Sequence, residues 1–180
     1  NGLKAYIYLL MDNFSRAILS YRVSAQYSAS YTKENLKEAY EKYLNPSSIV
    51  QCSLITDDGS ENHGLAAKFL SECTKPSIKQ KKKKKTITQS NSMIEAVNKS
   101  LKYGFLYHQT IPDLPALEKY VPLAIQDRYN RPHDVLSGLT PAEVLKGGLP
   151  SSVNYALQNA NAIKNRIATN KKENCCGFSF

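Results

Sequence analysis

The feature that most restricts the fold is the segment LKAYIYLLM at positions 3–11, in which Lys4 is the single charged residue. A short apolar run rich in Tyr and Ile is typical of a strand that is buried on both faces. Turn-forming residues follow at 12–15, and the alternating segment Ala17–Val23 predicts a second strand. We therefore expect Leu3–Met11 and Ala17–Val23 to form an antiparallel hairpin.

The next elements predict a sheet that is flanked by helices. Thr32 is expected to cap a helix over Lys33–Tyr43, and Ile49–Ile55 is a third apolar strand. A strand–helix–strand order favours a strand that lies parallel to another strand of the sheet. The later segments with helical periodicity are Leu65–Cys73, Ser92–Tyr107, Leu114–Tyr129 and Ser151–Ala168. The fold class predicted from this order is α/β, a mixed sheet with helices packed on it.

Two local signals refine the helical part. Pro122 lies inside the third of these helices and is expected to bend or split it. Thr140 and Glu143, with Pro141 between them, have the form of a helix-starting capping box.

Composition sets the broad class of the protein. A chain of 180 residues with 42% hydrophobic and 22% charged residues has the values of a globular domain. It contains no uncharged apolar run of the ~20 residues that a membrane span needs. Its four cysteines lack the spacing of a zinc site, so no cysteine chemistry is predicted, and they favour a reducing cytoplasm.

The net charge of +9 is concentrated in one segment. Residues 75–85 contain seven lysines and no acid, and the rest of the chain carries only +2. Such a run is self-repelling, so we expect a mobile, solvated loop that either has no partner or binds phosphates. Seven neutralised phosphates would give a log–log salt slope of about −6, without any reading of sequence. The continuous part of the run is Lys81, Lys82, Lys83, Lys84 and Lys85.

Two carboxylates stand where they could meet. Asp57 ends a buried strand just before a turn, where side chains line crevices in α/β sheets. Glu95 lies near the start of the Ser92 helix, with Lys99 and Lys102 at the i+4 and i+7 positions of the same face. Carboxylates suit Mg²⁺ and amines suit backbone phosphates. Taken alone, the face fits an ordinary solvated helix with i,i+4 ion pairs better.

Four motifs, in order, resemble segments of retroviral integrases and of the related transposases of insertion sequences. Any one is weak, but the ordered set extends from residue 3 to about 145. The resemblance implies a ribonuclease-H-like fold and a catalytic core with two Asp and one Glu. The matching segments are DNFSR at 12–16, TDDGS at 56–60, QSNSMIEAVNKSLK at 89–102, and YNRPH at 129–133 followed by LSGLTPAE at 136–143.

The resemblance also implies a reaction, DNA integration or transposition by Mg²⁺- or Mn²⁺-dependent strand transfer. Carried over by position, Asp57 and Glu95 are the catalytic metal ligands, and Lys99 and Lys102 contact the DNA end. Asn91 and the lysine run are expected to add DNA contacts, although the run replaces a more mixed segment of the family. The implied partners are transposon ends and target DNA, with a homo-oligomer for the full-length protein. The implied location is a bacterial-type cytoplasm, at the nucleoid. Residues 1–148 would form the core and 149–180 a C-terminal helix and tail.

One element of the family pattern is missing from this sequence. The first Asp of the family lies on a strand upstream of the one that matches Leu3–Met11, and the chain begins too late to contain it. Asp12 is expected to be a turn residue instead, because its strand should end at the edge of the sheet opposite Asp57. We therefore expect a chain that binds DNA but does not cut or join it. The alternatives are a non-catalytic nucleic-acid-binding remnant and, less in keeping with the YNRPH segment, a hybrid-cleaving ribonuclease.

Overall fold

The predicted hairpin is present. In the computed structural model, which describes residues 4–45, 51–56, 64–73, 77–82, 92–151 and 156–173, strand β1 (Tyr6–Met11) pairs antiparallel with β2 (Ile18–Ser24). The register slips by one residue after Leu10, where the strand bulges. Beyond the bulge, the Asp12 N–H donates to the Ala17 carbonyl at 2.8 Å and closes the turn.

Both faces of β1 are covered, as its continuous apolar sequence predicts. Ile7, Leu9 and Met11 pack against a core cluster formed by β2 and two later helices. Leu10 points the other way and packs against a second cluster around Leu36. Since successive residues of a strand face opposite sides, a strand between two cores must be apolar throughout.

Helix α1 (Ala29–Ala39) begins four residues before the predicted start. Its cap is Ser28, whose hydroxyl accepts a hydrogen bond from the Ser30 N–H at 3.2 Å, so the prediction of Thr32 as the cap is wrong. The first turn contains Ser30 and Tyr31, which are weak helix formers and hide the start of the helix in the sequence. At its other end the helix continues into a wider turn over Tyr40–Leu44.

A second, parallel pair of strands corrects the prediction of a loop. Strand β3 (Gln51–Thr56) pairs with β4 (Ser77–Lys82), and helix α2 (Leu65–Glu72) lies between them in the sequence. Strand β4 occupies residues 77–82 of the segment 75–85, which the lysines predicted to be a solvated loop. Ile78 is half-buried against Leu36 and Leu70, whereas Lys79 and Lys81 are exposed. Backbone pairing does not depend on the outward side chains, and lysines are common on edge strands.

Two helices complete the first of two compact units, which comprises residues 1–130. They are α3 (Ser92–Gly104) and α4 (Leu114–Tyr129), with a short 3₁₀ turn at Leu106–His108 between them. The Asp113 carboxylate caps α4 by accepting from the Ala116 N–H at 2.9 Å. The buried residues that join these helices to β2 are Ile18, Val97, Leu101, Leu106, Val121, Ala124 and Ile125.

Pro122 does not split α4, which runs unbroken for 16 residues. A proline inside a helix deprives the carbonyl four residues earlier of its hydrogen bond. That carbonyl belongs to Glu118, which is exposed, so water can satisfy it.

The second unit comprises residues 131–180. It contains a 3₁₀ turn at Asp134–Leu136, helix α5 (Pro141–Leu145) and helix α6 (Ala156–Glu173). Helix α6 ends five residues beyond the predicted Ala168, and residues 152–155 at its predicted start lie outside the described chain. The boundary expected at residue 148 stays a prediction. No helix in the described parts of the chain is long and apolar enough to cross a membrane.

The predicted capping box starts α5. The Thr140 hydroxyl accepts from the Glu143 N–H at 3.2 Å, and the Glu143 carboxylate accepts from the Thr140 N–H at 2.7 Å. These hydrogen bonds from Thr140 lower the pKa of Glu143. A carboxyl whose pKa is lowered by folding stabilises the fold above its ordinary pKa, and this contribution is lost as the pH falls through the lowered value.

We expect Thr140→Ala to lower the free energy of unfolding by about 1 kcal/mol, the usual cost of losing such a cap. Urea unfolding at neutral pH measures this change. Glu143→Gln keeps an acceptor but loses the charge, so the difference in stability between it and the native chain should shrink as the pH falls below about 4. A difference that grows on acidification would contradict the assignment.

Candidate nucleic-acid and metal site

The solvent-facing side of α3 carries the charged residues predicted to act together. Val97 and Leu101 are 2% and 4% exposed, so they fix which side of the helix faces the core. Glu95, Lys99 and Lys102 lie on the other side, and all three are exposed. The helical placement of the predicted face is therefore confirmed, and its carboxylate and two amines are open to a ligand from solution.

These charges are not used up in an ion pair on the helix. Among the described residues, neither Glu95 nor Lys99 nor Lys102 lies within ion-pair distance of an opposite charge. Elsewhere the chain does form such a pair at the same spacing, between Lys37 and Glu41 at 3.8 Å. The ion-paired helix face that the sequence, taken alone, favoured is therefore not found in this part of the fold.

A groove of about 440 Å³ lies beside this helix, and we call it the β1–β3 groove. Its walls are residues of β1, of β3 and of the first turns of α3, together with part of α1. Among the described strands, β1 is hydrogen-bonded only to β2, and β3 only to β4. The groove is thus lined by two strands that each have a single partner. Its residues include Leu10, Asp12, Asn35, Leu54, Thr56, Ile94 and Asn98.

Asn35 is the most buried polar residue of the groove, at 3% exposed. Its Nδ2 donates to the Tyr8 carbonyl of β1 at 3.2 Å. Its Oδ1 is buried and has no hydrogen-bond partner within the described residues. A buried acceptor without a donor costs on the order of 1–3 kcal/mol.

The described lining of the groove includes the sequence neighbours of the two predicted metal ligands, Asp57 and Glu95, but not the ligands themselves. Thr56 ends β3 and Ile94 lies in the first turn of α3, and both line the groove. Glu95 follows Ile94, whereas Asp57, which follows Thr56, lies outside the described residues. The expected closeness of the carboxyl groups of Asp57 and Glu95 therefore stays a prediction.

Of the other residues predicted to contact DNA, some lie in the described parts of the chain and some do not. Lys81 is exposed on β4, and Lys82 is the last residue of that strand. Lys83, Lys84, Lys85 and Asn91 lie outside the described residues.

Asp12 is a turn residue, as predicted. Its Oδ2 accepts from the Ser15 N–H at 2.8 Å and from the Ser15 hydroxyl at 2.6 Å. Ser15 is itself 1% exposed, so this carboxylate stabilises the hairpin turn from inside the protein. Both bonds occupy the same carboxylate oxygen.

The sequence motifs also contain two residues whose positions no periodicity predicts. Arg16 ends the hairpin turn with a positive φ of 62°, and its Nη1 contacts Met93 Sδ on α3. Tyr129, at the end of α4, donates from its hydroxyl to the Ile18 carbonyl at 3.1 Å. Burial, followed by the neighbouring Tyr43 and Asp12, raises the pKa of Tyr129. The only sequence signals for these two residues are the DNFSR and YNRPH segments. They indicate a family resemblance but do not predict where Arg16 and Tyr129 lie in the fold.

No complete metal cluster is visible within the described residues, where no three His, Cys, Asp or Glu side chains converge. Glu95 offers a hard carboxylate oxygen that suits Mg²⁺ or Mn²⁺. Burial raises the pKa of the Cys52 and Cys73 thiols, which keeps both protonated at neutral pH and poor as ligands.

Comparison with known proteins supports the fold. No protein-family model and no curated protein matches the sequence. Among solved structures, one match is a chain of the simian T-cell lymphotropic virus intasome bound to the PP2A regulatory subunit B56 gamma, with 18% identity and a TM-score of 0.60. The match covers 79% of this chain and 48% of that one, so this chain spans about half of its relative.

A second match is the catalytic core domain of BIV integrase, with 15% identity and a TM-score of 0.56. It covers 80% of this chain and 87% of that domain. The predicted fold class is therefore confirmed: the chain has a mixed α/β fold similar to integrase catalytic cores, which is ribonuclease-H-like.

We expect Asp12→Ala to destabilise the chain without weakening the Mn²⁺ binding that is predicted for Asp57 and Glu95. The substitution removes two hydrogen bonds to the buried Ser15, worth about 1–3 kcal/mol together. Urea unfolding measures the first effect and calorimetric titration with Mn²⁺ the second. Glu118→Ala, which removes an exposed carboxylate on α4, is the matched control. Loss of Mn²⁺ binding in a folded Asp12→Ala chain would make Asp12 a metal ligand.

Proposed function

We propose that this chain is the DNA-binding core of an integrase or transposase of the insertion-sequence type. The observation that carries the proposal is the exposed face of α3, in a fold similar to integrase cores. On this face Glu95, Lys99 and Lys102 form no ion pair with any other described residue. The partners are DNA ends of the mobile element and target DNA. The full-length protein would act as a homo-oligomer at the bacterial nucleoid.

DNA binding follows from the basic residues around this face. Lys99 and Lys102 each neutralise a backbone phosphate, and Lys81 with the rest of the run to Lys85 adds contacts along the strand. Asn91, just before α3, adds a polar contact. These contacts hold the duplex in position but do not select a sequence, since phosphates are alike at every site.

The metal chemistry rests on Asp57 and Glu95. Their carboxylates are the side chains that would hold Mg²⁺ or Mn²⁺, and a bound ion would stabilise the charge that develops in phosphoryl transfer. Two carboxylates suffice for one weakly held ion, whereas a two-metal mechanism needs a further bridging ligand. We infer that this chain binds DNA and one divalent ion but does not join strands.

The second candidate is a nucleic-acid-binding remnant of a mobile element that has lost catalysis. It shares the basic face of α3 with the first candidate and differs only in metal binding. Lys99 and Lys102 are exposed on α3 and would bind phosphates in such a remnant without a metal ion. A chain extended upstream by a strand that carries an Asp distinguishes the two, because only the first candidate would then join DNA.

We expect the double substitution Lys99→Gln, Lys102→Gln to weaken binding to duplex DNA and to reduce the log–log salt slope by about 1.8, or 0.9 for each lost phosphate contact. Fluorescence anisotropy over a range of KCl concentrations measures both. The control Lys37→Gln, Lys119→Gln removes the same charge from α1 and α4 and should leave the slope nearly unchanged. Equal slopes for the two double variants would contradict the assigned face.

We expect no joined products from this chain in a strand-transfer assay with Mg²⁺ or Mn²⁺. Binding of Mn²⁺ should nevertheless be measurable and should be abolished by Glu95→Gln, which preserves the shape of the side chain. Clear joining products would refute the first expectation. Unchanged Mn²⁺ affinity in Glu95→Gln would remove Glu95 from the metal site.

A further inference from the structure

Arg16 has a backbone conformation that non-glycine residues seldom adopt. Its φ of 62° lies in the left-handed region, which costs roughly 1–2 kcal/mol for a residue with a Cβ. The conformation is imposed by its neighbours, because Ser15 is held by Asp12 and Ala17 is completely buried. The side chain of Arg16 is therefore directed by the turn.

The side chain of Arg16 extends from the turn toward the candidate site on α3. The guanidinium of Arg16 contacts the sulfur of Met93, in the first turn of α3 and two residues before Glu95. A thioether is a weak acceptor, so this contact leaves most of the donors of the guanidinium unused. Arg16 thus places a positive charge beside the end of α3 that bears the carboxylate.

Arg128 brings a second guanidinium to the same region. It lies in the last turn of α4, half-buried, and its Nε is completely buried without a hydrogen-bond partner in the described chain. The next residue, Tyr129, donates to the carbonyl of Ile18, two residues after Arg16, so the end of α4 lies against the turn that carries Arg16. Burial and then the charge of Arg16 lower the pKa of Arg128. Partly desolvated like charges are unfavourable unless an anion accompanies them.

No acid of the described residues supplies that anion. The charge of Asp12 acts on Tyr129, next to Arg128, but the Asp12 carboxylate does not lie within ion-pair distance of either arginine. By contrast, Arg22 on β2 has two acidic partners, Glu34 at 3.7 Å and Glu38 at 2.5 Å. Arg16 and Arg128 form no such ion pair within the described chain.

We propose that Arg16 and Arg128 together bind a single phosphate of the DNA backbone beside the first turn of α3. Guanidinium groups match the oxygens of a phosphate in paired hydrogen bonds, and its negative charge removes the repulsion between them. The inference rests on the proposed function and extends it, because it fixes a backbone phosphate next to Glu95. It also assigns a role to the DNFSR turn, which orients the side chain of Arg16 toward the phosphate.

The test is the salt dependence of DNA binding in Arg16→Gln, Arg128→Gln and the double variant. A shared phosphate predicts that the double variant lowers the log–log slope by about 0.9, as one lost contact does, and that the losses in affinity of the single variants are not additive. Arg22→Gln is the matched control and should keep the native slope. Arg16→Lys retains the charge but not the paired geometry, so it should keep the slope and bind more weakly.

Circular dichroism and thermal melting establish that each variant folds. If Arg16→Gln is unfolded, Arg16→Lys and Arg128→Gln carry the test. A double variant with the native slope, beside a Lys99→Gln, Lys102→Gln chain that binds poorly, would overturn the arginine site and leave the proposed function standing. A loss near 1.8 would mean two separate contacts and would overturn the shared phosphate. Native binding by every variant would refute the proposed function itself.

Discussion

The packing of α3 and α4 on the β1–β2 hairpin is the constraint on which the candidate site depends. Val97 and Leu101 meet Val121, Ala124 and Ile125 in a core that also includes Ile18 of β2. Because these apolar contacts fix the rotation of α3 about its axis, they decide that the charged face of the helix is turned to solvent. A rotation by one residue would carry the carboxylate toward the core, where its charge could not be solvated.

A second constraint fixes the ends of these elements. The hydroxyl of Tyr129 bonds to the backbone of β2, and the turn that follows β1 is closed by Asp12. Together they hold the last turn of α4 near the hairpin turn and the first turn of α3. Arg16 and Arg128, which no local pattern connects, both lie at this junction, and the backbone of Arg16 is strained there. Polar groups held at a cost in stability are typical of binding sites.

Elements with local signals could be predicted from the sequence, and those fixed by distant contacts could not. The hairpin, α4 with its Asp113 cap and the Thr140 box depend on neighbouring residues, and all are present. Strand β4 could not be predicted from its own residues, because its lysines favour a solvated loop and Ile78 is its single apolar residue. Pairing with β3 and the partial burial of Ile78 define the strand. The same division holds for the site. Helical spacing predicts the exposed face of α3, whereas the neighbourhood of Arg16 and Arg128 arises only when α4 folds onto the hairpin.

The lysines of β4 have a consequence apart from nucleic acid. In the described chain β4 has a partner only on its β3 side, and Lys79 and Lys81 project from it into water. If a second molecule added its own β4 to this border, cations would face cations at a spacing of roughly 5 Å, and the repulsion would oppose the growth of intermolecular sheets. The lysine charge that would attract a polyanion thereby also keeps identical copies of the protein apart. Neutralising these lysines would be expected to lower the affinity for a polyanion and to increase aggregation.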